Sequence, residues 1–339
     1  MAACASVLTC AVSLPGGQPD ERVFLRLMDI IEELRDPSST TRSALTLLLL
    51  LLLLVGLVCV VIAGYIDYRM LHPESTRTSL TPEDLQGHVT VVQYTLPGEG
   101  NRDGWFFPGL RGAPVIILCH GYGWQRGDEL TLATTLEENQ YNVFVFDFSG
   151  HGKSPGSTTM GPREATEVLT VIAVMAQRND VDRNHMGLWG ANMGGYAALV
   201  AAATDKRVAS LVVDSIYNEP MDFFSIALDR DGYGQMPIIG WMARLGFRLA
   251  ELPYRGQPPL FARVGSLGSI PKLFIALRES PILARTTLQL MNASPEPHEQ
   301  WVMPQASYLT MTNDEKRTYD NTVLSFLLRT LPPVASSSR

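Results

Sequence analysis

The sequence predicts an α/β chain, a parallel sheet covered by helices, preceded by a single transmembrane helix. Three observations predict it. Short apolar runs alternate with helix-period segments from about residue 87 onward, the pattern of a parallel sheet with crossover helices. One run, His185 to Trp189, passes through a glycine-rich turn straight into a small-residue helix, Tyr196 to Ala203. Ala44 to Ile66 is an uncharged apolar run of 23 residues containing eight consecutive leucines, and a bilayer span needs ~20.

Composition narrows the function classes. The 339 residues are 46% hydrophobic, enough for a sizeable core, and the net charge of −7 with no basic run argues against nucleic-acid binding. The four cysteines, Cys4, Cys10, Cys59 and Cys119, show no C-x-x-C spacing, so neither a disulfide framework nor a cysteine zinc site is expected. Cys119 falls in an expected buried strand and reads as core. With no phosphate loop, dinucleotide fingerprint or metal-ligand cluster, no cofactor and no metal are expected.

In order, residues 1–43 form a leader, loose through Pro15, Gly16, Gly17 and Pro19. Its second half, Glu21 to Arg35, places Val23, Leu27, Ile30, Ile31 and Leu34 on one helical face. That face either docks on the chain's own domain or meets a partner or the membrane surface. The span, 44–66, competes with a cleaved signal peptide. A long acidic leader and an apolar core exceeding the usual signal length favour an uncleaved anchor. Arg26, Arg35 and Arg42 precede it, against Arg69 and Arg77 after it, which leans towards a cytoplasmic amino terminus and an extracytoplasmic main domain.

After a linker, 67–86, the domain at 87–332 begins. Strands are expected at His88 to Tyr94, Asp103 to Phe107, Pro114 to Cys119, Tyr141 to Phe146, His185 to Trp189, Arg207 to Val213, Pro271 to Leu277 and Gln300 to Met303. Helices are expected at Asp128 to Asn139, Arg163 to Gln177, after the glycine-rich turn, and at Lys316 to Leu328. The proline-broken stretch at about 217–267 is where a cap would be inserted, and 333–339 reads as a disordered tail.

The chemistry should sit at Gly190-Ala191-Asn192-Met193-Gly194. A strand, a sharp turn flanked by glycines and a helix make the G-x-S-x-G nucleophile elbow, with Asn192 in place of the serine. An amide has no ionisable oxygen with which to attack a carbonyl. His120-Gly121 follows the third strand, and Asp147-x-x-Gly150-His151-Gly152-x-Ser154 follows the fourth.

These three motifs at this spacing resemble the α/β-hydrolase superfamily, over roughly Glu83 to Pro332. The anchor and short linker are similar to its membrane-anchored members. The resemblance implies a nucleophile, an acid and a histidine base. The acid position, after the seventh strand in Ala276 to Leu283, holds Ser280, beside Glu279. The base position, in Pro304-Gln305-Ala306-Ser307-Tyr308, holds Tyr308. Gly121, Tyr122 and Met193 would form a vestigial oxyanion hole. His120 and His151 would orient loop backbone, His298 would lie at the far end of the sheet, and Asp214 would bind amides at the cap entrance.

With Asn192, Ser280 and Tyr308 at the triad positions, the first expectation is a catalytically inactive, membrane-anchored binding or assembly module. It would be an accessory subunit of a membrane protein complex. The alternatives are an active hydrolase on lipid or acyl substrates, and a carrier or sensor whose Asn192 and Tyr308 bond a neutral apolar ligand in the vacated pocket.

Overall fold

A computed structural model describes residues 25, 26, 28, 29, 40–74, 82–85, 89–278, 280–304 and 307–334. All but four positions of the expected leader helix, and the tail beyond 334, lie outside the described residues. The chain divides into two units, Met1–Ile62 and Ala63–Arg339.

Helix α1, Thr40–Leu71, contains the apolar run. Within the first unit its side chains face outward, and none of its most apolar 18-residue window is buried in protein. In the second unit the last turns of the same helix belong to the core, where Ala63, Ile66 and Met70 are buried. The linker expected from residue 67 is thus helical to Leu71. The helix stops before Pro73, which has no N–H to continue the ladder.

Eight strands form one sheet: β1 (Thr90–Leu96), β2 (Gly100–Phe107), β3 (Val115–Cys119), β4 (Asn142–Phe146), β5 (Met186–Ala191), β6 (Val208–Asp214), β7 (Lys272–Leu277) and β8 (His298–Met303). Their order is β1-β2-β4-β3-β5-β6-β7-β8. The β1–β2 and β2–β4 pairs are antiparallel, and every pair from β4 to β8 is parallel. Strands β3, β4 and β5 are buried at every residue, which is why they read as unbroken apolar runs rather than alternating ones.

Besides a single helical turn at Leu260–Arg263, the α-helices after α1 among the described residues are α2 (Leu130–Glu138), α3 (Pro162–Met175), α4 (Met193–Ala202), α5 (Pro220–Arg230), α6 (Pro237–Ala250), α7 (Pro281–Ala293) and α8 (Asn313–Thr330). Proline opens α3, α5, α6 and α7, where its missing N–H costs nothing. Helix α8 begins with a reciprocal cap between Thr312 and Glu315. The cap region, expected to be irregular chain with short apolar helices among its prolines, is built chiefly on two helices, α5 and α6. Helix α7 was not expected, because the residues before it read as the turn of an acid loop.

The sheet divides the core into two apolar clusters. One lies beneath α3, α4, α5 and the end of α1; the other lies beneath α2 and α8.

Candidate functional site

The elbow forms where β5 meets α4. A Cβ on Gly194 would lie 1.9 Å from the Cys119 carbonyl oxygen, and one on Gly190 would lie 2.4 Å from the Gly194 carbonyl oxygen. Backbone passes too closely there for any side chain, which explains both flanking glycines. Asn192 sits at φ 37° and ψ −100°. The φ is positive, which asparagine tolerates better than most residues, while the ψ lies outside the left-handed basin. The strained turn is fastened by hydrogen bonds. Asn192 N–H donates to the Asp214 carbonyl at 2.7 Å, and its side chain supplies the rest.

Asn192 Oδ1 accepts from Tyr122 N–H at 2.8 Å and from Met193 N–H at 2.6 Å. These two amides come from the loop after β3 and from the first residue of α4. They are the donors that an oxyanion would use in this architecture. Gly121 closes the third side, since a Cβ there would lie 2.8 Å from Asn192 Nδ2 and 2.9 Å from the Trp124 ring. The structure thus brings Gly121, Tyr122, Met193 and Asn192 together, with the Asn192 amide oxygen accepting from both backbone N–H groups.

The two nearby histidines hold loops. His120 Nε2 accepts from Phe148 N–H at 2.9 Å, and its Nδ1 lies 2.8 Å from the Gly121 carbonyl. Burial lowers its pKa to about 4, so the ring is neutral at pH 7. His151 Nδ1 lies 3.2 Å from the Ser149 carbonyl, and burial followed by the neighbouring His120 lowers its pKa to about 3. Asp147 completes the bracket, accepting from Arg126 N–H at 2.8 Å, with Arg126 Nε 3.4 Å from its other oxygen. His298 starts β8, at the end of that strand away from the elbow. Cys119 is buried as expected, with its thiol pKa pushed up by burial.

At the acid position, Ser280 is the residue preceding α7, with its carbonyl accepting from Ala284 N–H at 2.9 Å. Glu279 lies outside the described residues. At the base position, Tyr308 is fully buried. Its hydroxyl donates to Asp320 Oδ1 at 2.9 Å and lies 2.5 Å from the Thr131 hydroxyl. Its ring packs among Trp124, Trp189 and Tyr319. Asp214 corrects a further expectation: it turns away from the cap towards α8, where its Oδ2 accepts from Tyr319 O–H at 2.9 Å. Burial pushes its carboxyl up to about 6.

The polar ends offered to a ligand, Asn192 Oδ1 and the Tyr308 hydroxyl, are therefore both engaged internally. Open clefts occur where the cap meets α3 and α4, lined by Pro162, Tyr196, Glu251, Tyr254 and Arg255, and along β8 and α8. None of these includes Asn192, Tyr122 or Tyr308. Among the described residues no three of His, Cys, Asp and Glu gather to hold a metal ion. Sequence reading missed the partners Thr131, Asp320, Tyr319 and Trp124. Only the adjacent pair Tyr319-Asp320 on the buried side of α8 hinted at them.

Comparison with known proteins agrees with this architecture. The profile of a family described as alpha/beta hydrolase fold matches residues 114–237. The Escherichia coli protein YfhR is 23% identical over 252 residues, covering 71% of this chain and 81% of that one. The polyketide transferase grgF of a Penicillium species is 30% identical over 125 residues, 36% of this chain and 42% of that one. Among solved structures, the Pyrococcus furiosus esterase Pf2001 superposes with a TM-score of 0.60 at 21% identity. It covers 77% of this chain and 98% of the esterase. The chain has the α/β-hydrolase fold.

Proposed function

We propose that this α/β-hydrolase-fold chain is a membrane-anchored pseudo-hydrolase, a binding or assembly module that no longer cleaves acyl bonds. The observation carrying the reading is the pair of amides on Asn192 Oδ1. A hole occupied by a neutral amide neither stabilises an oxyanion nor presents a nucleophile. Tyr308, turned into the core at the base position, supports it. So do two buried histidines, His120 with both ring nitrogens on loop backbone and His151 with its Nδ1 there. An uncleaved anchor is supported by the burial of Ile66 and Met70 and by Tyr122 O–H donating to the Met70 carbonyl at 2.8 Å. Cleavage after the apolar run would cut through this packing. The arginine asymmetry supports an extracytoplasmic domain, and the partner we expect is a protein of the same membrane. Gentle detergent extraction, native-gel separation and mass spectrometry test this: co-migration with a larger assembly is expected, and migration alone contradicts the assembly role.

A second reading, an active hydrolase of acyl substrates, is favoured by the likeness to an esterase and to a polyketide transferase. It requires ester turnover by the purified chain that disappears when a residue beside the elbow is changed.

A further inference from the structure

Helix α6 of the cap is apolar almost all round. Gly240, Ala243 and Phe247 are buried against the domain, as one face of a cap helix should be. The opposite face carries Ile238, Trp241, Leu245 and Leu249, continued by Leu252 just past its end. All five are exposed, Ile238 by 65% and Trp241 by 63%. At ~100° per residue these five fall within about 80° of one another. The stripe holds no charged residue, and Arg248 borders it. An apolar helix face this continuous is expected to be covered.

The end of α1 says by what. Asp67 is the first charged residue after the apolar run, and a Cβ on Gly246, in the middle of α6, would lie 1.9 Å from Asp67 Oδ2. The helix turn at which the run ends is therefore packed directly on α6. An apolar run of 23 residues rises about 34 Å, a little more than a hydrocarbon core of ~30 Å. The bilayer boundary then falls at the exposed pair Tyr65 and Tyr68, the aromatic residues that favour headgroup depth. Trp241 on the stripe and Arg248 at its border have the same preference.

We infer that the outer face of α6 lies in the lipid headgroup layer, so that the domain is held to the bilayer at two places, the span and the cap. This rests on the membrane-anchor reading of α1. The occupant is the lipid surface itself, because the segment that seats α6 is the one that leaves the bilayer. Docking on lipid would fix the tilt of the domain and leave its other faces to a partner.

The test uses the full chain with Cys4, Cys10 and Cys59 replaced by alanine and the buried Cys119 kept. Single nitroxide labels are placed through Trp241→Cys and Leu245→Cys, and through Ile282→Cys as an exposed reference on α7. The protein is reconstituted into phosphatidylcholine vesicles with a minor phosphatidylserine fraction, and collision with oxygen and with an aqueous nickel chelate is measured. The expected result is a severalfold loss of chelate collision with a gain in oxygen collision at 241 and 245, and neither at 282. Chelate access at 241 and 245 equal to that at 282 overturns the inference, as does shielding from both reagents, the signature of contact with a second copy. Alkaline carbonate extraction of the same vesicles separates the two readings. Release of the protein overturns the anchor and the inference together, whereas retention with aqueous labels overturns the inference alone.

Discussion

Asn192 and Tyr122 stand 70 positions apart in the chain and are joined by one 2.8 Å hydrogen bond, from the Tyr122 backbone N–H to Asn192 Oδ1. With the 2.6 Å bond from Met193 N–H, it ties the loop after β3 to the elbow. A hydrolase of this fold keeps those amides free until charge develops on the substrate. Here both amides bond Asn192 Oδ1, which fastens the loop to the elbow.

The fastening should tolerate an anion better than a void. Asn192→Ala removes the acceptor of two backbone N–H groups and is expected to cost on the order of 1–3 kcal/mol. Asn192→Asp places a carboxylate on the same donors, which favour its charged form and depress its folded-state pKa. Its contribution is present at pH 7 and lost as pH falls through the depressed value. Urea denaturation at pH 7 should rank Asp above Ala; the reverse order would mean that the amides do not converge on this side chain.

Tyr308 should matter for stability and not for turnover. Tyr308→Phe leaves the buried Asp320 without the hydroxyl that donates to its Oδ1, at an expected cost of about 1–3 kcal/mol. Combining Tyr308→His with Asn192→Ser should yield no ester hydrolysis, because the imidazole would enter the cluster of Trp124, Trp189 and Tyr319. Turnover by the double variant would show that position 308 reaches the elbow.

Burial pushes Asp214 up to about 6, against the Ser215 and Tyr319 hydroxyls, and Asp320 likewise up to about 6, against Tyr308 and Thr131. Between about pH 4 and 6 the folded chain keeps protons that the unfolded chain has released, so these groups make stability fall as pH rises through that window. His120 and His151 act oppositely, since the unfolded chain protonates them below about pH 6.5 while the folded chain keeps them neutral. The difference profile is therefore the readout. Asp214→Asn should gain stability relative to the parent as pH rises from 4 to 6, and a flat difference would contradict the raised carboxyl.

Position along α1 should decide what a truncated side chain costs. Ile66→Ala removes a side chain only 2% exposed and should lower stability by about 2–4 kcal/mol. Val61→Ala, 62% exposed, should leave the domain's denaturation curve unchanged. Equal effects would mean that the helix end is not part of the core.

Much of this was legible before any coordinates. The continuous apolar runs at β3 to β6 announced a sheet buried on both faces, and Gly190 and Gly194 around Asn192 announced the elbow. That Asn192, Ser280 and Tyr308 stand where the resemblance implies a triad could be read residue by residue. What these side chains bond could not. The engagement of Asn192 Oδ1 depends on a loop 70 positions away, Tyr308 depends on Thr131 at a separation of 177, and Asp214 turns towards Tyr319 at a separation of 105. Periodicity carries no information about such pairings. Helix α7 escaped because its opening Pro281 reads equally as a turn, and the end of α1 because burial by a distant cap leaves no local trace.

The most direct measurement is ester turnover by the purified full chain in detergent, with short-chain and long-chain acyl esters, alongside Asn192→Ser and Asn192→Ala. The account predicts rates at the buffer background for all three, because Asn192 Oδ1 holds both amides in the parent and in the variants the described histidines beside the elbow, His120 and His151, stay buried and neutral. Turnover by the parent that vanishes in Asn192→Ala would contradict it and establish the elbow as a working catalytic site.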